Sequence, residues 1–383
     1  MVCAVSAATY AQAPASLQHA QQLLERGDVA AASHDLQRYL RQHPKRADAW
    51  SLFGVVQAQQ GDISAAESSF HQALRLAPHF ASAEENLGHL LLTQRRASEA
   101  LPYLSAALKA QNGDNDLREM FVTAAEQAAL AQRTAGDRSG ALATLLAAKA
   151  QAPHGFRLLL DLAILENEAR LLHDAERDVA EARSLHPDDV KALYTEARVK
   201  MALQKMPAAE ADMRAYLKER PDDATAHYGL GRILEILQRP EEAQAEFEHS
   251  IALAPNQAES YYQIGQMALD RGDYTTAQQQ CRAALEHDPH HAGALAGLGI
   301  AAFRLKLYPQ AVDSLAQAVV AAPNYQRARY YYGLALAKTG RNEAATRELK
   351  LAAAMADAEN RSDAQHLELA PQTKSAPGAA THP

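Results

Sequence analysis

The sequence predicts an all-α solenoid of about ten stacked helix-turn-helix units, which fills most of the 383 residues. Three recurrences predict this fold. A small residue inside one helix, an alanine inside the next helix and a proline after it each return about every 34 residues. A period of this length is typical of repeat architectures, in which each unit buries its apolar face against its neighbours.

The small residue of the first recurrence lies inside a helix. Gly229 and Gly231 occur in "HYGLGRILEI", and the preceding "RPDDATAHY" predicts a turn and a helix start. A phosphate-binding loop would instead need a strand before the glycines. Because glycine costs a helix interior about 1 kcal/mol relative to alanine, its recurrence indicates that another element approaches closely. The residues equivalent to Gly231 in other units are Ala163, Ala197, Gly265, Gly299 and Gly333.

The other two recurrences define where each unit starts and ends. The units start at Ala13, Ala47, Ala81, Val122, Phe156, Val190, Ala224, Ala258, Ala292 and Gln326. Their twentieth residues are Ala32, Ala66, Ala100, Ala141, Ala175, Ala209, Ala243, Ala277, Ala311 and Ala345. Their closing residues are Pro44, Pro78, Pro153, Pro187, Pro221, Pro255, Pro289 and Pro323, with Asn112 and Asp357 as exceptions. Proline ends a helix because it lacks an N–H and clashes with the preceding turn.

A glycine-aspartate pair is expected to separate the two helices of several units. Glycine adopts the left-handed conformation that ends a helix, and aspartate caps the next one. The pairs are Gly27-Asp28, Gly61-Asp62, Gly136-Asp137 and Gly272-Asp273.

The second unit closely resembles a tetratricopeptide repeat. Its sequence is "WSLFGVVQAQQGDISAAESSFHQALRLAP". The signature positions hold Trp50, Phe53, Gly54, Ala66, Phe70, Ala73 and Pro78. The resemblance extends over residues 13–359 and implies a right-handed superhelical solenoid, whose concave face usually binds a partner peptide or protein.

The repeats divide the chain into segments. These are a leader at 1–12, repeats one to three at 13–114, a lengthened and degenerate fourth repeat at 115–155, repeats five to ten at 156–359, and a disordered tail at 360–383. The additional residues Asn115 to Phe121 predict either a lengthened helix or a hinge. Their length, close to two helical turns, keeps the apolar face in phase and favours the lengthened helix.

The leader "MVCAVSAATYAQAP" leaves the location of the protein open. Ala11-Gln12-Ala13 fits a signal-peptidase site, which predicts a periplasmic or secreted bacterial protein. The short apolar stretch has no Lys or Arg before it, which favours a cytoplasmic protein.

Composition and motifs exclude several classes of function. The net charge is −8 without a polybasic cluster, so we do not expect nucleic acid as a partner. No apolar run has the length of a membrane span. No catalytic or cofactor motif occurs, which predicts a non-enzymatic protein without a cofactor.

Cysteines and histidines offer no metal motif. Cys3 and Cys281 cannot form a disulfide framework, and Cys281 occupies an apolar position as a small core residue. His287, His290 and His291 surround Pro289 in an expected exposed turn without supporting carboxylates or cysteines. We therefore expect no native metal site there.

The resemblance also predicts a partner-binding surface. In this family the second, fifth, ninth and twelfth residues of the first helix line the concave groove, and this spacing places them on one helical face. The resulting candidates are Lys191, Tyr194, Arg198, Tyr228, Arg232, Tyr262, Gln266 and Tyr330. Tyrosine and arginine suit a protein or peptide that carries acidic or aromatic groups. The alternative is that the tyrosines only pack on neighbouring helices and the arginines pair with Glu196 or Glu235.

Two functions follow. The first is a protein-protein interaction scaffold that binds a partner segment in the groove. The alternative is a regulatory or substrate-recruiting subunit of an envelope biosynthesis or secretion enzyme complex. Self-association through the end repeats, including the tyrosine-rich "RYYYGLA" from Arg329, is compatible with both.

Overall fold

The computed structural model describes residues 14–111 and 114–369, and side chains as far as residue 358. Within these ranges the chain is helical without a strand, and inside each of its two compact units successive helices pack against one another as hairpins. The predicted all-α solenoid is therefore confirmed. None of the described helices has the length and apolar character that a bilayer span requires. The predicted leader, and residues 370–383 of the predicted tail, lie outside the described residues.

The helices belong to two compact units, and the boundary between them in the sequence lies between Lys205 and Met206. The first unit contains α1 (Ala15–Glu25), α2 (Val29–Gln42), α3 (Ala47–Gln59), α4 (Ile63–Leu76), α5 (Ala81–Thr93), α6 (Ala97–Ala110), α7 (Asn115–Thr134), α8 (Arg138–Lys149), α9 (Phe156–Glu168), α10 (Leu172–Leu185) and α11 (Val190–Ala202). Odd-numbered helices are the first helices of successive repeats, and even-numbered helices are the second.

The second unit continues the same alternation. It contains α12 (Met206–Glu219), α13 (Ala224–Ile236), α14 (Pro240–Leu253), α15 (Ala258–Arg271), α16 (Tyr274–His287), α17 (Ala292–Arg304), α18 (Tyr308–Ala321), α19 (Gln326–Lys338) and α20 (Asn342–Leu369).

Close packing inside each hairpin explains the recurring small residue. A methyl group on Gly54 would lie 2.6 Å from the ring of Phe70, and one on Gly231 would lie 2.6 Å from the ring of Phe247. Both rings are fully buried. The glycine therefore makes room for the bulky side chain of the second helix, as the recurrence predicted.

Cys281 takes the place of these rings in the eighth repeat. It is fully buried, and its Sγ would lie 3.0 Å from a methyl group on Gly265. Burial raises the pKa of the Cys281 thiol to about 12. The predicted role as a small core residue is confirmed, and the thiol stays protonated at neutral pH.

The turns between paired helices use the predicted glycine and aspartate. Gly27, Gly61, Gly136 and Gly272 have φ values of 79°, 84°, 87° and 78°. The aspartates that follow accept a backbone N–H from the first turn of α2, α4, α8 and α16. Repeats without glycine keep the same conformation at Arg95, Arg170, Gln204, Gln238 and Lys306, with φ between 59° and 63°.

The carbonyl of the closing proline anchors the next helix in three repeats. Trp50 Nε1 donates to the Pro44 oxygen at 2.9 Å, and Arg329 Nε donates to the Pro323 oxygen at 2.7 Å. His227 Nε2 lies 2.9 Å from the Pro221 oxygen in the same way. This bond was not predicted from the sequence, because tryptophan, histidine and arginine form no common sequence motif and have in common only a side-chain N–H donor.

Two helices differ in length from their equivalents. The helix α7 has 20 residues, whereas α9 and α11 have 13, and it includes the additional residues Asn115 to Phe121. The helix α20 continues to Leu369, beyond the boundary at 360 that composition suggested. No proline or glycine occurs from Asn342 until Pro371, so the backbone meets no helix breaker in this range.

Candidate partner-binding groove

A cavity of about 490 Å³ lies between the first helices of repeats four, five and six, α7, α9 and α11. Its lining comes mainly from the groove positions of these helices. The lining residues are Glu126, Gln127, Ala129, Leu130, Arg133, Leu145, Arg157, Asp161, Ile164, Leu165, Glu168, Lys191 and Arg198. Two predicted partner-binding residues, Lys191 and Arg198, therefore line one cavity.

Most charges in this cavity are paired. The Arg157 guanidinium contacts the Glu126 carboxylate, and Lys191 Nζ lies 3.3 Å from Asp161 Oδ1. Because the two charges of each pair largely compensate each other, these residues contribute to the shape of the cavity and little to its net electrostatic potential.

Arg198 differs from these neighbours. It is exposed, and it makes no ion pair in the part of the chain that the structure describes. Its guanidinium carbon lies 5.8 Å from the centre of the half-buried Tyr194 ring. Glu196, the pairing partner considered from the sequence, instead contacts Lys200 at 2.9 Å and Arg183 at 3.6 Å. Arg198 is thus available for an anionic group of a ligand.

Glu126 is a buried acceptor in the same cavity. Its side chain is 8% exposed, and its Oε1 has no hydrogen-bond partner among the described residues. Burial raises the pKa of Glu126 to about 7, although Arg157 opposes this rise. This oxygen is itself buried, so a ligand N–H reaches it only when the Glu126 side chain turns towards the cavity.

Apolar side chains from the ninth position lie between these charges. Leu130 is 55% exposed, and Ile164 is half-buried. Both line the cavity. Apolar contacts and a cation that lacks an ion pair among the described residues lie within one cavity, a combination that suits a peptide segment.

Aromatic residues predicted for the groove of the second unit are largely packed. The Tyr228 ring lies 5.8 Å from the buried Phe247 ring. The Tyr262 ring lies 4.7 Å from the His291 ring, and burial raises the pKa of the Tyr262 hydroxyl. Tyr330 is 45% exposed, with Tyr331 at 5.6 Å.

Polar residues predicted for the second unit are also engaged or partly buried. Arg232 Nε lies 3.5 Å from Glu235 Oε2, which is the pairing considered as the alternative to binding. Gln266 Nε2 is buried and has no hydrogen-bond partner among the described residues. Packing therefore accounts for part of the tyrosine and arginine pattern.

The histidines around Pro289 have separate environments. His287 stacks on Tyr261 with ring centres 5.6 Å apart, and His290 is exposed. His291 is not exposed as the sequence suggested, because its Nδ1 accepts the Ala294 N–H as the cap of α17 and its Nε2 lies 3.2 Å from Glu259.

The sequence prediction missed the contribution of repeats four and five to the cavity. Glu126, Leu130 and Arg133 occupy the fifth, ninth and twelfth positions of repeat four, and Arg157 occupies the second position of repeat five. The signal was available, since the same groove positions apply to every repeat.

Comparisons with known proteins agree with the repeat structure. Residues 17–66, 52–115 and 308–360 match a tetratricopeptide repeat family, and residues 191–319 match the tetratricopeptide repeat domain of cytochrome c-type biogenesis protein H. Together the matches extend over 17–115 and 191–360. None of the curated proteins compared with the chain matches it significantly in sequence.

Solved structures of other proteins match the chain at low sequence identity. The Cut9-Hcn1 hetero-tetramer of APC/C matches with a TM-score of 0.50 and 14% identity, over 89% of this chain and 86% of that one. Yeast Tom70 matches with a TM-score of 0.40 and 13% identity, over 94% and 96% of the two chains. YrrB, described as a TPR protein with an unusual peptide-binding site, matches with a TM-score of 0.39 and 22% identity, over 48% and 95%. From its repeats, hairpins and family matches, the chain belongs to the tetratricopeptide repeat family.

Proposed function

We propose that the protein is a non-enzymatic scaffold that binds a segment of a partner protein or peptide in the cavity of α7, α9 and α11. Tetratricopeptide repeats indicate a protein-protein interaction scaffold. The observation that carries the choice of site is Arg198, an exposed cation that has no ion pair among the described residues and lines a cavity of about 490 Å³.

The proposed ligand is an extended segment with an acidic residue and a neighbouring apolar or aromatic residue. Its carboxylate pairs with Arg198 beside Tyr194, and its apolar side chain packs on Leu130 and Ile164. When the Glu126 side chain turns towards the cavity, a main-chain N–H of the segment donates to its Oε1, which removes the unsatisfied acceptor. The segment thus provides a carboxylate for Arg198, an apolar side chain for Leu130 and Ile164, and an N–H for Glu126.

Site-specific cross-linking tests where the partner binds. A photoreactive residue replaces Leu130, which is 55% exposed in the cavity, or Leu146, which is 44% exposed on α8 and does not line it. We expect the variant at position 130 to cross-link a defined partner in cells and the variant at position 146 not to. Equal cross-linking from both positions would contradict the proposed site.

The predicted role of Arg198 is tested on the cross-linked segment as a synthetic peptide. Arg198→Ala should weaken its binding by about tenfold, because a charge-assisted hydrogen bond contributes roughly 1.5–3 kcal/mol. The control is Arg75→Ala, which removes an exposed arginine of α4. Fluorescence anisotropy measures both affinities, and equal affinities would exclude Arg198 as the anchor.

We further propose that the predicted residues of the second unit provide a separate contact surface. Tyr330 is its most exposed aromatic member, and Tyr228, Arg232, Tyr262 and Gln266 would contribute their accessible edges. A photoreactive residue at position 330 should cross-link either a partner or a second copy of the chain. No cross-link from this position would leave these residues with packing alone.

A second candidate function is a recruiting subunit of an envelope biosynthesis or secretion complex. The match of residues 191–319 to the tetratricopeptide repeat domain of cytochrome c-type biogenesis protein H favours it. Deletion of the gene should then lower the amount of c-type cytochromes, measured by haem staining of membranes from the source organism. Unchanged cytochromes would remove this candidate, while the binding scaffold would remain to be tested by cross-linking.

A further inference from the structure

Two histidines and a glutamate converge in the seventh repeat, which belongs to the second unit. His227 lies in the first turn of α13, and Glu246 and His249 lie one turn apart near the end of α14. One potential ligand atom of each residue lies within 4.8 Å of the other two. Because α13 and α14 form a hairpin, the start of one helix is adjacent to the end of the other.

The proline carbonyl determines which nitrogen of His227 faces this cluster. His227 Nε2 lies 2.9 Å from the Pro221 oxygen, so Nε2 carries a proton that it donates. The other nitrogen, Nδ1, lies 2.6 Å from Glu246 Oε2. A metal-binding histidine commonly donates its second ring N–H to a backbone carbonyl, which fixes the ring and its tautomer. Pro221 provides this support.

The other two potential ligands, Glu246 and His249, lie on α14. Glu246 and His249 are separated by three residues, so their side chains extend from the same helical face. The His249 ring centre lies 5.3 Å from that of His227, and His249 is exposed. An exposed third ligand can rotate towards a cation without disturbing the core.

We propose that His227 Nδ1, Glu246 and His249 bind a divalent transition-metal cation of the Zn²⁺ type. Two imidazoles and one carboxylate suit Zn²⁺, whereas Mg²⁺ and Ca²⁺ prefer oxygen ligands. Zn²⁺ takes the place of the proton between Nδ1 and Glu246, and a small outward rotation of the carboxylate provides distances of about 2.0–2.2 Å. The fourth ligand position faces solvent and accepts water or a partner side chain.

The same position in the tenth repeat shows why the cluster is more than a structural pair. There Arg329 replaces His227, and its Nη1 lies 2.6 Å from Glu348 Oε2. An arginine has no lone pair for a metal, so the tenth repeat can only form an ion pair. The seventh repeat keeps the link between proline, side chain and glutamate but builds it from a metal ligand and adds His249.

Calorimetric titration with ZnCl₂ tests the site in the full chain, without an affinity tag and after chelator treatment. We expect one saturable site in the wild type, weakened by about tenfold or more in His249→Ala. His290→Ala removes an exposed histidine elsewhere and should leave the affinity unchanged. Titration with MgCl₂ should show no binding.

Glu246→Gln and thermal unfolding provide readouts that a structural role would not produce. Glutamine can still accept the hydrogen bond of His227, but it is a poorer metal ligand, so this variant should lose Zn²⁺ affinity and keep its fold by circular dichroism. Zn²⁺ should raise the Tm of the wild type and not of His249→Ala, since a ligand of the native state stabilises it. Equal Zn²⁺ affinity in the wild type and His249→Ala, or equal losses in His249→Ala and His290→Ala, would overturn the proposal.

Discussion

At the scale of single residues, the buried carboxyl group of Glu166 in α9, close to Asp178 of α10, makes stability depend on pH. Glu166 is 1% exposed and Asp178 is fully buried. Lys149 Nζ lies 2.5 Å from Asp178 Oδ1, whereas Glu166 Oε2 has no partner among the described residues. Burial, with the nearby charge of Asp178, raises the pKa of Glu166 to about 7 from an ordinary value of 4.5.

The direction of the pH effect follows from this rise. The folded state binds the Glu166 proton more tightly than the unfolded state does. Protonated Glu166 is therefore without an ionisation cost below pH 4.5, and this advantage is lost as the pH rises through about 7. Above that pH the folded protein holds a buried, poorly solvated carboxylate.

We predict that Glu166→Gln stabilises the protein at pH 8 by about 1–3 kcal/mol and has little effect at pH 5. Glutamine keeps the size of the side chain and removes the ionisable group. Urea unfolding at both pH values measures the difference. The control is Glu168→Gln on the same helix, which changes a carboxylate that is 33% exposed and should alter stability by less than about 0.5 kcal/mol. A destabilised Glu166→Gln at pH 8 would contradict the prediction.

At the scale of secondary-structure elements, one glycine allows the close approach of α13 and α14. Gly231 of α13 faces the ring of Phe247 on α14, and a methyl group would lie 2.6 Å from that ring. Gly229, two residues earlier in α13, has only the terminal methyl group of Met213 nearby, at 3.3 Å. The two glycines share a helix and differ in what they face.

We predict opposite effects for two alanine substitutions in α13. Gly231→Ala should destabilise the protein, because overpacking costs about 1–3 kcal/mol and exceeds or cancels the gain in helix propensity. Gly229→Ala should stabilise it by up to about 1 kcal/mol, since Met213 can move and alanine favours the helix. Thermal unfolding compares the two. Equal stabilisation by both would show that the hairpin does not need the glycine at 231.

Only some of the turns between paired helices could be predicted from the sequence. The glycine-aspartate turns were predicted because glycine and aspartate have specific backbone roles. Arg170 and Gln238 adopt the same left-handed conformation without such a signal. The neighbouring helices hold these residues in place, and packing provides the energy that overcomes their preference against positive φ.

At the scale of the whole molecule, each helix contacts few others. Substantial contacts join helices that are one or two places apart in chain order within the described residues. The stability of such an array is close to a sum of contributions from each repeat and its neighbours. A local change should therefore act locally.

We predict that Gly54→Ala increases amide hydrogen exchange in α3, α4 and the adjacent helices and leaves α17 to α19 unchanged. A methyl group at this position would lie 2.6 Å from the buried Phe70 ring. Mass spectrometry of peptic fragments resolves the repeats. Increased exchange throughout the chain would instead show one cooperative folding unit.

The sequence by itself determined the all-α repeat fold, because helix period, buried alanine, closing proline and turn glycine all recur in phase. It also placed Lys191 and Arg198 on a common face. Tertiary structure decided which charges are neutralised: Lys191 lies beside Asp161, while Arg198 has no ion pair in the described part of the chain. It likewise brought His227 to Glu246 and buried Glu166 beside Asp178. These outcomes depend on distances between residues on different helices, which local periodicity does not specify.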